Sequence, residues 1–189
     1  MYDIAIIGAG PAGASAAIFT AKAGKKTVVF DHDKGMTKRA WFENFYGIQE
    51  TNGPDLIETG IRQLKRLGAE FISEEAADVK KQADGFMVTT ASGQTYEAKH
   101  IIFATGLSVE LAEKLGVETT EGTEPRIKTV IKADSQGRTN VDNAWAAGTV
   151  AGVSVHGIIT AGDGGKVAIN VISELNGERY VDHDLYQPK

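Results

Sequence analysis

The spacing of apolar residues changes along the chain, and each change predicts an element. Asp3-Ile4-Ala5-Ile6-Ile7 is a short apolar run of the kind found in a buried strand. Pro11 to Ala23 is small and apolar, opens on proline and closes on Gly24, which predicts a helix with a glycine cap. Thr27-Val28-Val29-Phe30 is β-branched and aromatic and predicts a second buried strand, ending at Asp31. Strand, tight turn, helix and strand within about 30 residues make a βαβ unit. Gly35 to Gly53 is irregular and aromatic. Ile57, Ile61 and Leu64 then recur at i, i+4 and i+7, so Pro54 to Leu67 reads as an amphipathic helix.

From Glu70 the period becomes two. Phe71-Ile72 starts a short strand, Phe86 and Val88 alternate in another, Ser92-Gly93 marks a hairpin turn, and Tyr96 lies on the return. Ile101 to Ala104 is a buried strand ending at Thr105-Gly106, and Val109 to Leu115 a short helix. Thr119 to Arg138 is polar and weakly patterned, with strand character around Ile127 to Ile131. Ala144 to Ala147 is one more buried strand, and a last helix is expected from Gly165 to Leu175, entered through Gly162-Asp163-Gly164. The predicted fold class is α/β: three layers around a central parallel sheet, with helices on one face. A small antiparallel β-meander, Phe71 to Ala98, is expected on the other.

Composition narrows the function. The 189 residues are 42% hydrophobic and 24% charged, with enough length for a full core. Twenty basic against 25 acidic residues give a formal charge of −5, with no large basic block, which argues against nucleic acid as the main partner. No apolar run approaches the roughly 20 residues that span a bilayer. No cysteine is present, which removes thiolate nucleophiles, dithiol relays and iron–sulfur ligation by this chain. Met1-Tyr2-Asp3 leads straight into the first strand without a basic, then long apolar, leader, so no signal peptide and a cytoplasmic location are expected. The 4 histidines are scattered, and no metal site is expected. Twenty-two glycines against 4 prolines, many of them clustered, suggest backbone lying close to a ligand.

Gly8-Ala9-Gly10-Pro11-Ala12-Gly13 is a complete G-x-G-x-x-G between a strand and a helix, and Asp31 closes the next strand 23 residues after Gly8. In this arrangement Gly8 permits the turn, Gly10 admits a pyrophosphate against the backbone, and Gly13 lets helix and strand pack. Free N–H groups and the helix dipole hold the phosphates, and Asp31 is placed to accept from ribose hydroxyls. An acid there suits NAD or FAD. An NAD domain alone needs a separate substrate domain, for which 189 residues leave little room. FAD needs contacts from several segments, and the strand ends at Ala104-Thr105-Gly106 and Trp145-Ala146-Ala147-Gly148 supply them.

The chain resembles the FAD-binding part of thioredoxin-reductase-like flavoproteins. The resemblance is carried by Ile6 to Gly13, Phe42-Glu43-Asn44-Phe45-Tyr46-Gly47, Gly53 to Leu56, Ile102 to Gly106, Thr139 to Gly148 and Thr160 to Gly164, in family order. It implies one FAD-binding domain over residues 1–189, built from halves 1–106 and 139–189. Linker 107–138 stands where the family inserts its NADPH domain, and no second G-x-G-x-x-G or C-x-x-C is present. It further implies a homodimer. The implied cofactor residues are Gly8, Gly10, Pro11, Ala12, Gly13, Asp31, Asn44, Thr105, Gly106, Gly148, Thr149, His156 and Gly157. Thr149 stands where the family usually has an aspartate that binds a ribityl hydroxyl, and Tyr46 replaces a proline. His156 is the one catalytic candidate, as a donor near the flavin pyrimidine. Trp41, Phe42, Phe45 and Tyr46 are candidates to shield the ring.

The expected function is a minimal FAD flavoprotein, an oxidoreductase or electron-transfer protein. Its donor and acceptor are unnamed by the sequence: a reduced nicotinamide, a small thiol, a quinone or a protein. The alternatives are a non-catalytic FAD-binding or interaction module, or a subunit served by a separate reductase chain, and a nucleotide-binding protein that has lost FAD.

Overall fold

The computed structural model describes residues 1–187. Strand β1 (Tyr2–Ile7) lies at the centre of a seven-stranded sheet, parallel to β2 (Thr27–Phe30) and to β8 (Thr95–Phe103). Beyond β2 lies β5 (Glu70–Ile72), and beside the C-terminal half of β8 lies β11 (Ala144–Ala146), both parallel. Four of these five strands are the parallel core that the apolar runs predict, and β5 joins them. Between them in sequence, β6 (Ala76–Gln82) and β7 (Gly85–Thr90) form an antiparallel meander that pairs with the N-terminal half of β8.

The alternation along β1 separates two cores. Ile4 and Ile6, with Val29, Ile102 and Trp145, face a helical layer. Ala5 and Ile7, with Val28, Phe30, Ile101 and Phe103, face Val79, Phe86 and Val88 of the meander. Three-layer packing follows. The meander begins at Ala76, later than expected: Phe71-Ile72 pairs in register with Val29 and Phe30 and so belongs to the parallel sheet.

Helix α1 (Pro11–Lys22) is sandwiched between the sheet and other helices, and its small residues make that possible. Helix α4 (Gly157–Asn176) approaches so closely that a Cβ at Gly164 would stand 2.0 Å from the Ala12 carbonyl oxygen. Helix α2 (Gly53–Arg66) starts at Asn52, whose side chain accepts from the Asp55 N–H, and packs Gly60 towards Ala14. Helix α4 begins eight residues before the predicted Gly165. Gly162-Asp163-Gly164 is therefore not its entry but its second turn, in which Gly164 serves helix contact while Gly162 faces open space. Helix α3 (Glu110–Lys114) is a single short piece. The weakly patterned stretch after it folds into a hairpin of β9 (Thr119–Glu121) and β10 (Thr129–Ile131). The irregular aromatic segment holds a 3-10 turn at Met36–Arg39 and a two-stranded ribbon of β3 (Trp41–Phe42) and β4 (Thr51–Asn52).

Trp145 is buried on the helical side, where its Nε1–H donates to His100 Nδ1 at 3.2 Å. The Arg138 guanidinium lies 4.7 Å from the Trp145 ring centroid and pairs with Glu174 of α4. Accepting from the indole requires unprotonated Nδ1, and burial holds the His100 pKa below the ordinary value. The unfolded chain takes up this proton near pH 6.5 while the folded chain resists it. Stability is therefore expected to fall as pH drops from about 6.5 towards the folded pKa, and the His100 contribution to be flat above that window. Melting temperatures of wild type and His100→Gln, followed from about pH 8 to pH 5, check this. The wild-type curve should fall more steeply, and parallel curves would remove His100 as the cause.

Candidate functional site

The parallel strands β1, β8 and β11 end at the same edge, at Gly8, Ala104 and Ala147. Gly8 has φ +102°, and a Cβ there would lie 2.3 Å from the Ala104 carbonyl oxygen. A Cβ at Gly13 would lie 1.9 Å from the Gly8 carbonyl oxygen. Both glycines are required by the chain's own packing. Gly10 is different. It is the N-cap of α1, has ordinary extended backbone (φ −66°, ψ −174°), and the nearest atom to its Cβ position is Thr37 Oγ1 at 3.7 Å. Nothing within the protein demands glycine at this position. The space before it faces the N-terminus of a twelve-residue helix with no side-chain cap. That is a cradle with free N–H donors and the positive end of a helix dipole, suited to a phosphate.

Asp31 reaches this turn from the end of β2. One carboxylate oxygen accepts from the Ala9 N–H at 2.6 Å and the other from the Asp33 N–H at 2.6 Å. A carboxylate has about four lone-pair sites, so two remain for hydroxyl donors. Pro11 and Ala12 form the first turn of α1, and a Cβ at Gly148 would stand 2.7 Å from the Ala12 Cβ. Gly148 has φ +78° and opens the 3-10 turn Gly148–Ala151, which carries Thr149. The structure thus brings Gly8, Gly10, Pro11, Ala12, Gly13, Asp31 and Gly148 together. Thr105 and Gly106 follow β8 at the same edge, but the Thr105 hydroxyl is turned to the Ser108 carbonyl oxygen at 2.5 Å.

The remaining predicted residues form a second group, around Phe42. A Cβ at Gly157 would stand 2.7 Å from the Phe42 ring, so β3 and the start of α4 are in contact. His156 is the N-cap of α4, is exposed, and shares a hydrogen bond between Nδ1 and Ser154 Oγ at 2.8 Å. Asn44 is exposed two residues beyond Phe42. Phe45 packs edge-on against Phe42, while Trp41 and Tyr46 face solvent. Gly157 and Gly164 are seven residues apart on α4, about 10 Å along its axis. The two groups are therefore two ends of an elongated face.

Two residues at the site were not singled out by the sequence. Thr37 supplies the side chain nearest Gly10, and its carbonyl oxygen would lie 1.8 Å from a Cβ at Gly53, which fixes the 3-10 turn against α2. Its neighbours Lys38 and Arg39 mark the stretch as a solvated loop. Asp163 is buried and bonded to the Gly148 N–H. Among the described residues no group of His, Cys, Asp and Glu is arranged to hold a metal, and no helix is long and apolar enough to cross a membrane. The surface grooves near Arg138 lie elsewhere. Their Arg138–Glu174 and Arg179–Asn170 pairs satisfy each other, away from the glycine turn.

A Gly-rich βαβ turn at the edge where parallel strands end, with a following strand-end acid, is the arrangement of the Rossmann-like α/β fold. The chain belongs to the pyridine nucleotide-disulphide oxidoreductase family, which residues 2–109 and 43–166 match. It is 36% identical over 127 residues to the thioredoxin reductase of Listeria monocytogenes, a match covering 65% of this chain and 39% of that protein. The Aquifex aeolicus thioredoxin reductase is 38% identical over 120 residues, covering 60% and 36%. The chain thus matches about two-fifths of the length of these relatives. The fold resembles an atypical thioredoxin reductase from Desulfovibrio vulgaris Hildenborough (TM-score 0.76, 21% identity, 94% of this chain and 99% of that one). A thioredoxin reductase from Gloeobacter violaceus (0.79, 17%, 98% and 99%) and a ferredoxin-flavin thioredoxin reductase from Clostridium acetobutylicum (0.74, 20%, 93% and 98%) share it too. Sequence likeness covers part of each relative, whereas structural likeness runs almost end to end.

Proposed function

We propose that this chain is an FAD-binding oxidoreductase that receives electrons from, and passes them to, other molecules. The observation that carries the reading is the open cradle at Gly10, where the backbone is accessible and only an external group explains the glycine. The N-terminus of α1 binds the pyrophosphate through its free N–H groups. Asp31 holds the Gly8–Gly10 turn and offers its remaining lone pairs to the adenosine ribose. Thr149, a neutral hydroxyl at the start of the 3-10 turn, would hold the ribityl chain. His156 and Asn44 stand with Phe42 at the other end and would flank the ring of a bound FAD. FAD supplies the redox chemistry of its isoalloxazine ring. The chain positions the cofactor and, through His156, offers a hydrogen-bond donor beside it. With no cysteine in the 189 residues, any thiol–disulphide step needs sulfur from outside them.

The visible spectrum of the purified protein, followed by release and identification of the chromophore, tests the reading. A flavin spectrum with FAD released on denaturation is expected. A colourless protein that also takes up no FAD on titration would overturn it. Stopped-flow reduction with nicotinamide, thiol, quinone and ferredoxin-type donors then identifies the electron source.

A further inference from the structure

Asp163 is the one buried carboxylate among the described residues. It sits in the second turn of α4, too far along the helix to be its cap. One of its oxygens accepts from the Gly148 N–H at 2.7 Å, and the other meets Lys166 Nζ at 2.6 Å. Burying a carboxylate is costly unless its hydrogen bonds are made, and apolar residues often replace a buried ion pair without loss of stability. Helix packing therefore does not by itself explain an acid here. The neighbouring contacts suggest what does. At Gly148 the chain turns through φ +78° hard against Ala12, and one residue beyond Asp163 the Gly164 backbone lies against the Ala12 carbonyl. The first turn of α1, the turn after β11 and the second turn of α4 meet at one point, and Asp163 is the side chain that ties the last two.

We propose that Asp163 is a positioning residue for the flavin site: its carboxylate holds the Gly148 N–H from behind and so fixes where Thr149 presents itself to the cofactor. The inference rests on the FAD reading above. The resemblance puts an acid at position 149, facing the ligand; this chain keeps position 149 neutral and places its acid behind the turn, on the neighbouring helix. The turn is thereby anchored without a negative charge on the ligand side. The Thr149 hydroxyl has no protein partner among the described residues and remains available to the ligand.

The test uses the whole chain with two variants and two independent readouts. Asp163→Asn keeps a carbonyl oxygen for the Gly148 N–H, and Asp163→Ala removes it. In the apoprotein, hydrogen exchange at the Gly148 amide is expected to be slow in wild type, nearly as slow in Asp163→Asn, and fast in Asp163→Ala. In FAD titrations, Asp163→Asn should bind within about threefold of wild type and Asp163→Ala roughly tenfold or more weakly, the loss expected when binding must re-order a turn that has lost one hydrogen bond. The visible circular dichroism of any bound flavin should change only in Asp163→Ala. A folded Asp163→Ala with wild-type FAD affinity and flavin dichroism overturns the proposal. Tenfold weaker FAD binding by Asp163→Asn with Gly148 still protected also overturns it, because charge rather than position would then be the cause. Should Asp163→Ala not fold, Asp163→Asn decides by these same criteria. Wild type that binds no FAD is a failure of the functional reading; the Gly148 exchange then still decides whether Asp163 anchors the turn.

Discussion

Gly10→Val is expected to fold like the wild type and to hold no FAD. The backbone at Gly10 is in a region open to any residue, and the nearest atom to its Cβ position is 3.7 Å away, an ordinary van der Waals contact. Valine therefore fits the protein. Its methyl groups would occupy the space in front of the α1 N-terminus, where a phosphate must approach the N–H groups. Losing several charge-assisted hydrogen bonds at about 1.5–3 kcal/mol each corresponds to at least a hundredfold weaker binding. The apoprotein melting temperature should stay within about 4 °C of wild type, the equivalent of about 1 kcal/mol in a chain of this size. Gly13→Val provides the contrast. Its Cβ would enter the Gly8 carbonyl at 1.9 Å, so folding itself should fail. Fluorescence titration with FAD and thermal melting separate the two variants. A folded Gly10→Val that binds FAD normally would remove the pyrophosphate from this site.

The distinction between these glycines marks what the sequence makes legible. G-x-G-x-x-G beside an apolar run locates the turn, and the runs 3–7, 27–30, 101–104 and 144–147 locate the parallel core, because strands buried on both faces are apolar along nearly their whole length. The pattern does not show which glycine answers to the chain and which to a ligand. That follows from the distances at Gly8, Gly10 and Gly13. The start of helix α4 is hidden from the sequence for a related reason. Gly162, Gly164 and Gly165 look like a loop by local propensity, yet packing of Gly164 against Ala12 and of Gly165 against Phe19 outweighs that preference. Asp163 is hidden with it: an acid between glycines reads as solvated turn chemistry until the helix carries it under Gly148. By sequence Phe71-Ile72 reads as meander because period-two strands look alike, and only its register with Val29 and Phe30 assigns it to the parallel sheet. Strand β9 has no apolar period at all; Thr119–Glu121 is drawn into its hairpin by pairing with Thr129–Ile131.

Asp31→Ala is expected to weaken both the fold and the cofactor site. The substitution leaves the Ala9 and Asp33 N–H groups without the carboxylate that holds each at 2.6 Å. Asp31 is half-buried, so water recovers part of the loss, and a destabilisation of about 2 kcal/mol is expected, or roughly 4–8 °C in melting temperature. FAD should bind about 10- to 150-fold more weakly. Two causes are folded into that figure: a looser Gly8–Gly10 turn and a lost ribose contact. An FAD analogue lacking the 2′-hydroxyl of the adenosine ribose separates them. Wild type should bind the analogue more weakly than FAD, by about tenfold, since a hydroxyl-to-carboxylate hydrogen bond is absent. Asp31→Ala should bind the two alike, because the carboxylate that tells them apart is gone. Equal binding of both ligands by wild type would mean that Asp31 acts only on the turn. Unchanged FAD affinity in Asp31→Ala would leave it no part in the site, despite its bond to Ala9.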